Sequence, residues 1–171
     1  MKKFLILFLL LCIACIGYSD TLNVRVIVNS MDIVSPDGDV KTYTVAEDVP
    51  DIPYSSKIIA NGMLILNYHS AGIVLKNRQG LFVSKHPITN VLMFSKIENS
   101  RSGPILIYFN STTIAQMSAD TVFSLKHDEK DNSVTLEIVD GNAIMKINEE
   151  EIEFVTGETF KHQFKGEYHA I

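Results

Sequence analysis

The chain has 171 residues, with 15 basic and 20 acidic side chains for a formal charge of −5, and Lys2 and Lys3 supply two of those bases. So acidic a balance excludes nucleic acid as a partner and disfavours charge-driven attachment to an anionic membrane. Its two cysteines, Cys12 and Cys15, both lie near the start, so the residues after them have no thiol for a disulfide or for nucleophilic catalysis.

Lys2 and Lys3 precede an uninterrupted apolar run from Phe4 to Ile16, followed by Gly17, Tyr18, Ser19 and the first acid, Asp20. That order predicts a cleavable signal peptide over residues 1–19. As a helix the run reaches about 20 Å, short of the roughly 30 Å hydrocarbon core of a bilayer. Small residues at Gly17 and Ser19 place cleavage between Ser19 and Asp20, leaving residues 20–171 as one domain. A competing reading cuts before Cys15, where Ile13, Ala14 and Cys15 loosely resemble a lipobox, and would leave a lipid anchor on Cys15.

From Leu22 the residues alternate, with Leu22, Val24, Val26 and Val28 on one side and Asn23, Arg25, Ile27 and Asn29 on the other. This period of two predicts a half-buried strand. Ser35 to Asp39 form a turn cluster and Val40 to Val45 resume in β-branched and aromatic residues, which together predict a hairpin. A linker with Pro50 and Pro53 follows.

Next come strand-length apolar bursts at 57–60, 63–68, 73–76, 81–84, 91–94 and 105–109. Asn61 with Gly62, Ala71 with Gly72, Gln79 with Gly80, and Gly103 with Pro104 supply the turns. Several bursts are apolar on both parities, which predicts burial between two layers rather than one wet face. In the last third, 121–126, 134–139, 143–147 and 152–155 predict three successive hairpins, with Val122, Val134, Leu136, Ile138, Ile147, Ile152 and Phe154 inward. No stretch after the leader carries a sustained helical stripe. The fold expected is therefore all-β: ten to twelve short strands in hairpins, as a two-layer sandwich or β-roll, preceded by the signal-peptide helix.

The segment from Ile114 to Glu158 resembles the central part of FecR-type periplasmic domains. In that family an apolar strand leads to a small-residue turn and a Thr-x-Phe strand, then a charged hairpin, a valine-rich strand ending in glycine, another strand and a Gly-polar turn. Here these parts fall on Ile114, on Thr121, Val122 and Phe123, on 128–133, on 134–141, on 143–147, and on Gly157 with Glu158. Upstream, 53–83 resembles the family's small-residue turn and paired strands. Where the family commonly has Arg-Gly before the threonine, this chain has Ala119 and Asp120. Met1, Lys2 and Lys3 are all that precede the apolar run, so the resemblance implies the module without its anti-sigma segment.

Candidate chemistry is sparse. His69, His86, His127, His162 and His169 show no zinc-ligand spacing, and the nearest grouping, His162 with Glu167 and His169, falls in what reads as a terminal tail. Asp128, Glu129, Asp131 and Asn132 could offer oxygen ligands to calcium, as could Glu149, Glu150, Glu151 and Glu153, but the first set reads as a polar hairpin tip and the second as the wet face of a strand. No nucleophile elbow, phosphate loop or HExxH helix occurs. The chain lacks Trp, although Tyr43, Tyr54, Tyr68 and Tyr108 could serve a sugar platform. These readings predict an exported, periplasmic or extracellular binding module without cofactor, metal or catalytic residues, its ligand a protein or a cell-surface glycan. The alternatives are a structural or adhesive surface subunit and a carbohydrate-active enzyme.

Overall fold

The computed structural model describes residues 22–45, 48–97 and 103–165. The signal-peptide helix, the Ser19–Asp20 cleavage point, Cys15, Glu167 and His169 lie outside these residues. Among the described residues fifteen strands form, and no helix. They are β1 (Leu22–Ile27), β2 (Ser30–Val34), β3 (Val40–Thr44), β4 (Ser56–Ala60), β5 (Leu64–Tyr68), β6 (Ala71–Leu75), β7 (Gly80–Lys85), β8 (Leu92–Lys96), β9 (Ile105–Tyr108), β10 (Thr113–Met117), β11 (Val122–Asp128), β12 (Ser133–Asp140), β13 (Asn142–Ile147), β14 (Glu150–Val155) and β15 (Thr159–Gln163).

Two antiparallel sheets pack as a sandwich. One has seven strands in the order β1-β5-β6-β9-β10-β13-β14, the other eight in the order β15-β12-β11-β8-β7-β4-β2-β3. From β5 onward the chain lays a hairpin in one layer, crosses to lay the next in the other, and returns, so both sheets widen in step. Strand alternation sends every second side chain inward: Leu64, Leu66 and Tyr68 of β5 belong to the same core as Phe123 and Leu125 of β11 and Val134, Leu136 and Ile138 of β12. Phe94 and Phe123 stack there at 5.1 Å between centroids.

Several expectations change. The alternation from Leu22 breaks at a bulge between Val24 and Val26, where one extra residue shifts the phase. Ile27 therefore enters the core and Val28 is exposed. The hairpin around 35–39 forms, but its first arm is β2, which pairs with β3 in the sheet opposite β1. Ala71 and Gly72 lie inside β6, and the turn before it is His69 and Ser70.

Of three hairpins expected in the last third, two form. β11 pairs with β12, and β13 with β14 through Asn148 and Glu149, both at positive φ as a type I′ loop requires. Asp140 to Asn142 instead form the corner by which the chain leaves one sheet for the other, with Gly141 at φ 87 against Thr121. The inward set also needs correction. Val134, Leu136 and Ile138 are buried, but a bulge between Val122 and Phe123 puts Phe123 in the core in place of Val122, and Ile152 on the edge strand stays 44% exposed.

Candidate functional site

A two-layer sandwich has two outer faces, and here they differ. On the eight-stranded sheet the outward apolar residues Val34, Ile59, Phe82, Met93 and Val122 are interleaved with charged and hydroxyl residues such as Asp32, Lys57, Ser95, Ser124 and Glu137, so no continuous apolar row forms. On the seven-stranded sheet the register builds two rows across the outer face. The first runs Ile65, Val74, Leu106, Gln116 and Ile144 on β5, β6, β9, β10 and β13, flanked by Val26 on β1 and Glu153 on β14. The second runs Asn67, Gly72, Tyr108, Ile114 and Lys146, flanked by Asn23 and Glu151.

The strands from β5 to β13 turn their other parity into the core: Leu64, Leu66, Ile73, Ile105, Ile107, Ala115 and Met145 are all buried. From β5 to β10 the outer positions carry aliphatic groups, amides, one glycine and one tyrosine, with no carboxylate, amine or imidazole. They are half-buried by their cross-strand neighbours, and Ile144 is 41% exposed. An outer sheet face is ordinarily polar, so a contiguous aliphatic row sets this face apart from the other. Charge returns only at the margins, with Lys146, Glu151 and Glu153 at the β14 side and Arg25 in the bulge of β1 at the other.

This face corrects the expectation that bursts apolar on both parities lie between layers. In β5, β6 and β9 one parity is core and the other is the outer surface. The signal was present in Met63 to Tyr68 and Ile105 to Phe109, but sequence alone could not separate a second buried face from an exposed apolar one.

The histidines are dispersed. His69 at the β5–β6 turn and His127 on β11 stack at 3.7 Å between ring centroids, bridging the two sheets. The His127 backbone N–H donates to the hydroxyl of buried Tyr68 at 3.2 Å. His86 Nδ1 accepts the backbone N–H groups of Ile88 and Thr89 at 3.3 and 3.2 Å, shaping the loop that presents Ile88. His162 is on β15, in ordered strand and not in a tail. It packs among Phe109, Phe160 and Phe164 with Asn110 Nδ2 3.4 Å from its Nε2, and burial pushes its imidazole below the usual range.

The acidic hairpins are occupied by their own contacts. Asp128 Oδ1 accepts the Lys130 N–H at 3.0 Å. Asp131 accepts the Ser133 hydroxyl and pairs with Lys161 at 2.5 Å, and the Lys161 hydrogen bond holds its carboxyl below the ordinary value. Asn132 Nδ2 donates to the Phe164 carbonyl at 3.3 Å. Glu153 accepts from Asn142, and the other glutamates of 149–151 are exposed along the edge strand. Among the described residues no three His, Cys, Asp or Glu side chains converge as a metal site. Of the tyrosines considered for a sugar platform, Tyr43 and Tyr68 are core residues, and Tyr54 lies under the Lys85 amine. Tyr108 alone stands on the outer face just described.

No family model, no curated protein and no solved structure matches this chain. The FecR-like reading accordingly stays on the order of strands and turns in the sequence.

Proposed function

We propose that this protein is an exported, non-catalytic binding module of FecR-like type whose working surface is the outer face of the seven-stranded sheet. The observation that carries the reading is the uncharged row Ile65, Val74 and Leu106 on a face that solvent would otherwise meet with polar groups. Lys2, Lys3 and the apolar run from Phe4 support export. Aliphatic groups on a sheet face with a single aromatic favour a protein partner over a glycan, because sugar platforms depend on stacked rings. The centre of the face has no carboxylate, imidazole or amine with which to act on what it holds. Replacing Leu106 with Lys tests the reading. At high dilution, binding of a fluorescent apolar reporter to the folded protein should fall sharply in the variant, and reporter binding equal to the parent's rules this face out.

A further inference from the structure

We infer that the protein docked on this face is a second copy of the same chain, related by a two-fold axis running along β9. The inference rests on the reading of the face as a protein-docking surface. β9 is the middle of the seven strands, with three on either side. A two-fold along it lays β6 over β10 of the second copy, β5 over β13, and β1 over β14.

The central pairings match under that operation, while Val74 comes against the second copy's Gln116 and Val26 against its Glu153. Leu106 meets its own symmetry mate at the axis, and Ile65 comes against the second copy's Ile144. Ile114 comes over Gly72, where even an added Cβ would meet nothing closer than 4.0 Å. The charged margins also match. Arg25, the one charged residue of β1, comes over the edge strand that carries Glu151 and Glu153. A two-fold across the strands would instead lay β14 on β14 and set these glutamates against one another, so charge selects between the two orientations.

At about 4.8 Å per strand and 3.4 Å per residue, the face measures about 30 by 15 Å, so two copies cover about 900 Å² in total. That is the size of a weak, transient interface and well short of an obligate dimer. The dimer is therefore reversible and dilutes to monomer.

Sedimentation equilibrium of the purified protein over a wide concentration range tests this. The expected result is a monomer–dimer equilibrium. Leu106→Lys, counted twice at the axis, raises the dissociation constant about thirty-fold or more. Arg25→Glu raises it about ten-fold, and adding Glu151→Arg with Glu153→Arg restores part of that loss. Ile144→Lys, at an already exposed position, repeats the test should the Leu106 variant fold poorly. A dimer indifferent to all of these substitutions overturns the inference, because its interface lies elsewhere. A strict monomer that still binds an apolar reporter, and loses it in Leu106→Lys, overturns the self-pairing and leaves the docking face standing. A monomer that binds no reporter overturns both.

Discussion

Gly62 lies so close to the Val28 carbonyl that a Cβ at Gly62 would overlap the carbonyl oxygen outright. The Val28 N–H donates to the neighbouring Met63 carbonyl at 2.8 Å, so the chain leaving β1 is pinned against the turn that leads into β5. Gly62→Ala must push two backbones apart, at an expected cost of about 3 kcal/mol. Gly157→Ala, with nothing within 4 Å but a φ of 88, should cost about 1 to 2 kcal/mol for left-handed strain alone. Denaturant melts of the two variants check the difference.

Leu136 is buried and its neighbour Glu137 is exposed on the opposite face of β12. Leu136→Ala should lose about 2 to 5 kcal/mol through transfer free energy and the cavity it leaves. Glu137→Ala should lose less than about 0.5 kcal/mol, since it gives up only a long contact with the Ser124 hydroxyl. Paired urea titrations measure both, and equal losses would contradict the placement of β12.

Gln79 is a buried amide that ties its own turn to the segment at Gly103 and Pro104. Its Oε1 accepts the Lys76 N–H at 2.8 Å, and its Nε2 donates to the carbonyls of Gly103 and Pro104 at 3.1 and 3.3 Å. Gln79→Ala removes these part-buried bonds and leaves the amide's own buried site empty, for an expected loss of about 1 to 2 kcal/mol. Hydrogen exchange at the Lys76 amide should accelerate along with the drop in stability.

Burial lowers the pKa of His162 in the folded protein from its ordinary value of 6.5. A depressed histidine contributes stability above its unfolded value, and that contribution is lost as pH falls through the folded one. The denaturation midpoint should therefore decline as pH drops below about 6.5. In His162→Gln the decline should be shallower. A decline as steep in the variant as in the parent would assign the acid sensitivity to other groups.

Processing should leave Asp20 at the amino terminus, given Gly17 and Ser19 before it. Intact mass of the protein purified from its native source reads this directly. A diacylglyceryl-modified species beginning at Cys15 would move both the cleavage point and the attachment of the protein.

Much of the fold was legible because strand alternation and turn residues are local signals. The bursts at 57–60, 63–68 and 81–84 all became strands, and the hairpin about Ser35 to Asp39 formed where its turn chemistry placed it. What alternation cannot encode is which layer a strand joins, since both layers ask for the same pattern. The Asp140 to Asn142 corner therefore read as a hairpin, although Gly141 turns the chain from one sheet into the other. Bulges hide for a related reason. One added residue at Arg25 exchanges the roles of Ile27 and Val28 without changing the composition of the strand. The candidate surface was half legible: its apolar residues were visible in Ile65, Val74 and Leu106, but their alignment into one row depends on pairings between strands far apart in the chain.

The alternate laying of hairpins in the two layers has a consequence for length. An architecture that widens by one hairpin per layer never closes on itself, so geometry alone supplies no stopping point, as in stacked repeats that need a capping unit. In the seven-stranded sheet chemistry supplies it. Glu150, Glu151 and Glu153 fall within the six residues of β14, and a like strand drawn up beside it would bring carboxylates face to face. The outermost strand of that sheet thus refuses its own image, ending a ladder that would otherwise offer a free rung to any passing chain.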